Sequence, residues 1–260
     1  MRTLLSALFG CLLLIAGGCQ SASSPAPPAP AALIDSARAA HGSDVLNHAR
    51  MTFTFREASF RLRHHRNGRF HYRRTLTDSL GRTVVEGLTN DGPYRVLDGD
   101  TTTLSPEARV DVETAVNSVA YFARLPAPLN DPAVRSSYSG RDTIDGTPYH
   151  RLRVTFQQEG GGRDWQDIFY YWFHAETYTM DYLAYAYGLG PDEETGTRFR
   201  AAYNARRRGG VRIADYENYT ADSMSPDQMP RYPERLAQGN LDLVSRVALD
   251  SVRVRPLPDS

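Results

Sequence analysis

The stretch IFYYWFHAETYTMDYLAYAY, residues 168–187, decides the fold class that we predict for this chain. Nine aromatic residues lie between positions 169 and 187, although the whole chain has only 15 Tyr, 10 Phe and 2 Trp. Both alternation phases of residues 168–173 are apolar or aromatic, which is typical of a strand that is covered on each face. The second strand, residues 182–187, places small side chains on one face, where a lid or a ligand could approach closely. We therefore expect an aromatic hairpin at the centre of a large curved sheet.

The rest of the chain repeats short alternating runs that are separated by turn residues. The pair Asn67-Gly68 lies between two such runs, and it is a strong signal for a β-hairpin. With 260 residues and 41% hydrophobic content, the chain can bury one core. We count about eleven strands and predict a mainly β, antiparallel protein with a single domain over residues 31–260. Residues 221–240 contain three prolines and no periodicity, which predicts a long surface excursion, that is, an irregular segment on the outside of the domain. Residues 241–254 predict one final strand with a bulge near Asp250.

One longer helix interrupts the series of strands. Ser105 is a suitable N-cap, and Pro106 suits the first helical position. Such a helix must lay its apolar stripe against the sheet, so we expect it across the concave face as a plug or a lid. The stripe comprises Val112, Ala115, Val116, Val119, Ala120 and Ala123. A shorter helix ends at Gly42 and places His41 in its last turn, where the helix dipole favours a cation.

The N-terminus has the pattern of an exported lipoprotein. Arg2 precedes an apolar run that is too short to cross a bilayer comfortably, which favours a signal peptide over residues 1–18. The run ends in IAGGC, which resembles a lipobox and predicts lipid attachment, including palmitate, at Cys19. Gln20 after the cysteine suggests the outer membrane, facing the periplasm, and residues 19–30 form a Ser/Ala/Pro-rich tether. The alternative is an ordinary cleaved signal with a free cysteine.

The charged residues exclude several classes of function. The sequence has 30 basic and 30 acidic residues, so no net positive field attracts nucleic acid. All basic residues are arginine, and the absence of lysine excludes a Schiff-base enzyme and a phosphate-binding P-loop. His64 and His65 are adjacent on a predicted strand and point to opposite faces, which argues against a metal site. We predict no cofactor, no metal, no catalytic residue and no nucleic-acid partner; the oligomeric state stays open.

Arginines occupy the polar phase of the first predicted strands. Arg56, Arg61, Arg63, Arg69 and Arg73 lie opposite the apolar phase. The simpler interpretation is a solvated outer face. The alternative is contact with anionic lipid, because each basic residue near such a surface contributes about 1 kcal/mol.

Two carboxylates flank an aromatic residue just before the central hairpin. Asp164 and Asp167 lie on either side of Trp165, and a carboxylate pair beside aromatic rings is common in sugar-cleaving sites. Acidic residues on a loop also serve solubility, and that interpretation is preferred here. A hydrolase that uses these two residues remains an alternative.

Four segments of the chain resemble an uncharacterised family of bacterial lipoproteins. They are HGS from His41, NSVAYFARLPAPLND from Asn117, the stretch from Asp167 that includes the aromatic hairpin, and RFRAAYNARRRGGVRIADYENY from Arg198. The exported domain of that family resembles the LolA/LolB-like lipoprotein-carrier superfamily. The resemblance implies an incomplete antiparallel β-barrel of about eleven strands with helices covering the concave face.

The resemblance also implies an apolar cavity that holds acyl chains. The candidate lining residues are Phe53, Phe55, Val116, Val119, Phe122, Trp172 and Leu183, and the alternation phase that faces inward is left open. We expect a non-enzymatic, membrane-anchored protein that binds a lipid or another apolar ligand, in envelope lipid or lipoprotein trafficking. The alternative is a structural or protein-interaction lipoprotein of the envelope whose core is filled by its own side chains.

Overall fold

The computed structural model of the chain describes residues 26–190 and 194–258. The expected signal peptide over residues 1–18, the expected acylation site Cys19 and residues 20–25 of the expected tether lie outside the described residues. Within the described part of the chain, no helix combines the length and the apolar character needed to cross a membrane.

Two antiparallel sheets of seven strands each form the body of the protein. The first sheet has the order β14-β1-β2-β3-β4-β5-β6, with bounds Ala49–Phe55 (β1), Ala58–His64 (β2), Phe70–Thr77 (β3), Thr83–Thr89 (β4), Gly92–Leu97 (β5), Asp100–Thr102 (β6) and Asp250–Pro256 (β14). The second has the order β13-β12-β11-β10-β9-β8-β7, with bounds Val134–Ile144 (β7), Thr147–Phe156 (β8), Ile168–His174 (β9), Met180–Tyr187 (β10), Gly196–Arg208 (β11), Val211–Thr220 (β12) and Asp242–Val247 (β13).

The prediction of a mainly β, open antiparallel half-barrel is confirmed, since 48% of the structure is strand and the two sheets do not close into one barrel. The described residues form fourteen strands rather than about eleven. Part of the difference arises at the C-terminal end, where one predicted strand forms two.

In the described ranges, three α-helices and three short 3₁₀ helices accompany the sheets. The α-helices are α1 (Pro30–His41), α2 (Pro106–Arg124) and α3 (Tyr232–Ala237), and the 3₁₀ helices span Ser43–His48, Ala127–Asn130 and Pro226–Arg231. The predicted start of α2 is confirmed, because the Ser105 Oγ accepts a hydrogen bond from the Ala108 N–H at 3.2 Å and Pro106 is the first helical residue.

The helix α2 lies against the concave side of the first sheet, as predicted. Its residues Val112, Val116 and Ala120 are fully buried, and they belong to the same apolar core as Met51 and Leu62 on the inner face of that sheet. Because Val112, Val116 and Ala120 follow one another at spacings of four residues, they share one face of the helix. The other long side of α2 is therefore free to face the second sheet.

The aromatic hairpin β9–β10 is covered on both faces, as its sequence predicts. On the inner face, Phe169 and Tyr171 belong to a core that includes Leu33 of α1. On the outer face, Trp172 is fully buried and contacts the Phe199 ring edge to face, with ring centroids 5.7 Å apart.

The segment over residues 221–240 covers the outer face of the second sheet, so the prediction of a surface excursion is wrong. Met229 and Tyr232 are fully buried beside the small residues Ala184 and Ala186 of β10. The lid that the small face of β10 suggested is thus this segment of the chain itself. Sequence periodicity missed it because two short helical turns that include prolines have too few residues to show a repeat.

The C-terminal residues cross from one sheet to the other. Residues 242–247 pair with β12 in the second sheet, whereas residues 250–256 pair with β1 in the first. The buried carboxylate of Asp215 stabilises this crossing, because it accepts hydrogen bonds from the Leu249 N–H at 3.0 Å and from the Asn204 Nδ2 at 2.6 Å. The change of apolar phase near Asp250 therefore marks a change of sheet as well as a local irregularity.

Candidate functional site

A cavity of about 530 Å³ lies between α2 and the inner face of the second sheet. Its wall is built from one side of α2, from the loop between β8 and β9, and from inward-facing residues of β9 to β13. Small-molecule sites in proteins have volumes of about 300–1,000 Å³. The cavity is therefore large enough for an organic ligand.

Aromatic rings form the apolar part of the wall. The Phe122 ring of α2 lies 5.2 Å from the Tyr185 ring and 6.3 Å from the Phe169 ring, measured between centroids. Phe156 meets Phe169 edge to face at 5.7 Å. These separations fall within the range in which aromatic pairs attract one another, so the rings of the wall stabilise one another's positions.

Arg200 brings a positive charge to this aromatic wall. Its guanidinium carbon lies 4.1 Å from the Phe122 centroid and 5.1 Å from that of Tyr185. Its Nη2 donates to the Tyr185 hydroxyl at 3.1 Å, and its Nε lies 3.4 Å from the Asn218 Oδ1. Within residues 26–190 and 194–258, no ion pair joins Arg200 to a carboxylate, so its charge is available to an anionic group in the cavity.

His41 lies at the other end of β10 and also contributes to the cavity wall. Its Nε2 accepts a hydrogen bond from the Met180 N–H at 2.9 Å, which places the ring proton on Nδ1. Burial, together with the nearby charges of Arg212 and Arg207, lowers the pKa of His41 to about 3. The expectation of a cationic residue that interacts with the helix dipole is therefore wrong, because desolvation favours the neutral ring.

The neutral His41 ring leaves one donor unused. Its Nδ1 is buried and has no hydrogen-bond partner among the described residues. By contrast, the neighbouring cation Arg212 is satisfied by the Asp181 carboxylate at 2.7 Å. A buried donor without a partner loses its hydration without compensation, which lowers the stability of the folded state.

Tyrosine hydroxyls supply further polar groups that stay neutral. Burial raises the pKa of Tyr216 to about 12, and it also raises the pKa values of Tyr121 and Tyr171. The hydroxyls of Tyr121 and Tyr171 lie 3.0 Å apart and form a hydrogen bond. The cavity wall therefore combines aromatic surface, the neutral tyrosines Tyr121 and Tyr216, and charged groups of both signs. The charged groups include Arg200, Glu113, Asp164 and Asp167.

The structure separates the predicted lining residues into two groups. Phe55, Val119, Phe122 and Leu183 contribute to the cavity wall. The other three do not line it: Phe53 and Val116 lie in the core between α2 and the first sheet, and Trp172 lies on the outer face of the second sheet. The sequence left open which set of alternating residues faces the cavity. In β9 and β10 it is the odd-numbered residues.

The structure also adds residues that the pattern analysis did not select for the cavity. Arg200 is not among the predicted lining residues, and the sequence predicts His41 only as part of the last turn of a helix. A charged residue within a strand of alternating apolar residues can indicate a polar group in a binding cavity. The pattern alone does not show which face of the strand lines that cavity.

The carboxylates Asp164 and Asp167 both contribute to the cavity wall from the loop between β8 and β9. The Asp167 N–H donates to the Asp164 carbonyl oxygen at 3.0 Å, which closes a turn in that loop. Among the described residues, no three His, Cys, Asp or Glu side chains cluster in a way that could hold a metal ion.

The fold and the cavity together define a class of protein, an open β half-barrel in which a helix covers an internal ligand-sized space. Within that class, the chain belongs to the family of unknown function DUF6503, whose model matches residues 51–248. The predicted membership in an uncharacterised family is confirmed. No curated protein matches the chain by sequence.

Several solved structures are similar to the chain at low sequence identity. A LolA superfamily protein from Nitrosomonas europaea aligns over 89% of this chain and 96% of its own, with 9% identity and a TM-score of 0.47. A DUF1329 family protein from Desulfovibrio piger aligns over 88% and 93%, with 9% identity and a TM-score of 0.39. The lipoprotein LppX from Mycobacterium tuberculosis aligns over 62% and 90%, with 13% identity and a TM-score of 0.28. Similarity at this level is confined to the fold.

Proposed function

We propose that this protein is a non-enzymatic lipoprotein of the cell envelope that binds a lipid or another apolar ligand in the cavity between α2 and the second sheet. The observation that carries this proposal is the cavity itself, because about 530 Å³ beside aromatic rings is left unfilled by the surrounding side chains. Aromatic surface that lines such a space is left in contact with water, and a bound apolar group would bury it.

The composition of the wall suggests how such a ligand is held. Phe122, Phe169 and Tyr185 offer apolar surface for a hydrocarbon portion. Arg200 offers a cation beside this aromatic surface. An amphipathic molecule with a hydrocarbon portion and a polar or anionic group would satisfy all of these features, as a lipid does.

The proposed anchor is consistent with a ligand of this kind. Acylation of Cys19, followed by a Ser/Ala/Pro-rich tether up to residue 30 and a single domain over residues 31–260, would hold the cavity close to a membrane, and Gln20 favours the outer membrane on its periplasmic side. A role in envelope lipid or lipoprotein trafficking would suit a membrane-attached domain with a cavity of this size.

A matched pair of tryptophan substitutions tests the cavity. Val119 faces the cavity from α2, whereas Val244 is 49% exposed on the edge strand β13. We expect Val119→Trp to fill the space and to weaken binding of a fluorescent fatty acid by about tenfold or more, equivalent to ~1.4 kcal/mol. Val244→Trp adds the same side chain outside the cavity, so its affinity should equal that of the native protein.

Native mass spectrometry with lipid extraction, on the protein purified from the envelope of the expressing bacterium, identifies the ligand class. A stoichiometric lipid mass that Val119→Trp lacks supports the proposal. The variant Phe122→Arg adds a second cation beside Arg200 and is expected to abolish uptake while export continues. A clean unliganded mass, with no fatty-acid binding by the native chain, would instead favour a structural or protein-interaction role.

A further inference from the structure

Six arginines share the outer face of the first sheet, and we call this group the arginine face. They lie on four neighbouring strands, β14, β1, β2 and β3, and comprise Arg50, Arg61, Arg63, Arg73, Arg253 and Arg255. The residues that alternate with them, such as Met51, Leu62 and Val254, are buried in the core. Because successive side chains of a strand point to opposite faces, the arginines point away from the core.

The strand register places these cations directly beside one another. Arg50 is paired with Arg255 on one side and with Arg63 on the other, and Arg61 is paired with Arg73. Directly opposed side chains have Cβ atoms about 5 Å apart, and like charges in such positions destabilise the sheet. The folded chain therefore bears an electrostatic cost that uncharged residues at these positions would avoid.

No acidic side chain offsets this cost. In the part of the chain that the structure describes, no ion pair joins any of the six guanidinium groups to a carboxylate. On the inner face of the same sheet, by contrast, Arg74 and Arg95 both bind the buried Glu86, with the Arg74 Nε 2.6 Å from one of its oxygens. Burial and the neighbouring Arg73, Arg63 and Arg50 charges lower the pKa of Arg61, which reflects the same concentration of positive charge.

The excess of positive charge is confined to this face, because the whole chain has equal numbers of basic and acidic residues. It therefore reflects placement and not the overall composition. Asp250, at the start of β14, is the acidic residue within these four strands, while Glu57 lies in the turn between β1 and β2 and Asp78 directly follows β3. The centre of the face presents guanidinium groups and the Thr52 side chain, which is paired with Arg61 and with Arg253.

We propose that the arginine face docks on an anionic phospholipid membrane, where its guanidinium groups bind headgroup phosphates. A guanidinium group binds phosphate oxygens through two parallel hydrogen bonds and is less strongly hydrated than an ammonium group. A membrane surface presents many phosphates side by side, which matches a group of cations spread over four strands. The docking surface is separate from the cavity, so it does not depend on the proposed ligand.

Docking through the arginine face would set the orientation of the domain relative to the membrane. The face lies on the outside of the first sheet, whereas α2 and the cavity lie on its inside. Docking would place the first sheet against the membrane and leave the second sheet away from it. An acyl anchor at Cys19 would keep the face within reach of the lipid surface.

Vesicle flotation of the full chain tests this proposal, with all proteins bearing Cys19→Ser so that an acyl anchor does not contribute. The ratio of binding to phosphatidylglycerol-containing vesicles over pure phosphatidylcholine vesicles isolates the electrostatic part. Each basic residue near an anionic surface strengthens binding about fivefold. The triple variant Arg61→Gln, Arg63→Gln, Arg73→Gln should therefore lose about a hundredfold of this preference.

A matched triple variant controls for net charge. Arg109→Gln, Arg135→Gln and Arg141→Gln remove three exposed positive charges from α2 and β7, outside the arginine face. This control should retain most of the preference for anionic vesicles. The face variant should also unfold at the same temperature as the parent or at a higher one, because the substitutions relieve repulsion.

Residue-level protection provides an independent measurement. An arginine-directed reagent with mass-spectrometric detection should label the arginine face less on anionic than on neutral vesicles, while Arg109 and Arg141 stay equally labelled. Equal loss of preference in both triple variants, or the absence of such protection, would overturn the proposal. It would also be overturned if inorganic polyphosphate in solution bound as tightly as the vesicles and depended equally on the face, since the partner would then be a soluble polyanion.

Discussion

At the residue scale, His41 illustrates how burial reverses an expectation based on position. In an exposed helix end, the dipole would favour the charged ring. In the folded protein the ring is 2% exposed, and its Nε2 accepts the Met180 N–H at the start of β10. Desolvation outweighs the dipole because it acts on the whole charge, whereas the dipole contributes at most about 2 kcal/mol.

Substitution of His41 should change the pH dependence of stability. Its folded-state pKa of about 3 lies below the ordinary value of 6.5, so between these values protons bind preferentially to the unfolded chain. This contribution to stability is complete above pH 6.5 and is lost as the pH falls toward 3. We expect the free energy of unfolding to fall by up to about 1.4 kcal/mol per pH unit in this window because of His41 alone.

The variant His41→Gln keeps an acceptor near the Met180 N–H but does not titrate. The free energy of unfolding can be measured by urea denaturation at several pH values between 7 and 5. Between these values it should fall less steeply with decreasing pH for this variant than for the native protein. Both proteins share the same carboxylates, so the difference reports the histidine. Identical slopes would contradict the assignment of a buried neutral ring.

At the element scale, α3 and the preceding 3₁₀ helix form a layer of their own on the outside of the second sheet. The Tyr232 ring stacks on the Phe199 ring at 5.2 Å, and its hydroxyl lies 2.7 Å from the Thr197 Oγ1. The small side chains of Ala184 and Ala186 let this layer approach the sheet closely. The two faces of the hairpin therefore have different roles. The inner face lines the cavity, and the outer face is covered by this helical layer.

Substitutions of Tyr232 should lower the stability of the protein without changing its affinity for a ligand. Tyr232→Ala removes a fully buried ring, and we expect a loss of about 3–5 kcal/mol in the free energy of unfolding. Tyr232→Phe keeps the ring and removes one hydrogen bond, which should cost about 1 kcal/mol. Both folded variants should bind the fluorescent fatty acid as the native protein does, because the sheet stands between Tyr232 and the cavity. A large loss of affinity in Tyr232→Phe would argue against that separation.

At the scale of the whole molecule, charge and apolar surface are distributed unevenly although the totals balance. The outer face of the first sheet concentrates arginines, the space between α2 and the second sheet concentrates aromatic rings, and the outer face of the second sheet is covered. Each of these surfaces fits a different contact: a phospholipid surface, a ligand and the chain itself.

The proposed anchor predicts a specific pattern of lipid labelling in the expressing bacterium. The chain has two cysteines, Cys11 in the expected signal peptide and Cys19 at the expected acylation site. Radiolabelled palmitate should be incorporated into the native protein and into Cys11→Ser, but not into Cys19→Ser. Label that persists in Cys19→Ser would rule out this cysteine as the anchor.

Local sequence signals were sufficient for most of the elements. The Asn67-Gly68 pair predicts the hairpin between β2 and β3, and the Ser105-Pro106 pair predicts the start of α2. The doubly apolar run of β9 predicts a strand covered on both faces. These features depend on neighbours within a few residues, and the preferences of the backbone and of alternating side chains act over that range.

Long-range pairing accounts for what the sequence left open. The sequence by itself determined the fold class, the covered hairpin and the position of the long helix. Only the tertiary structure decided which phase of β9 and β10 faces the cavity, that residues 221–240 seal the opposite face, and that the last strand divides between two sheets at Leu249. The physical reason is that burial and hydrogen bonding join residues far apart in the chain, such as His41 with Met180 and Asp215 with Leu249, and no local pattern records their approach.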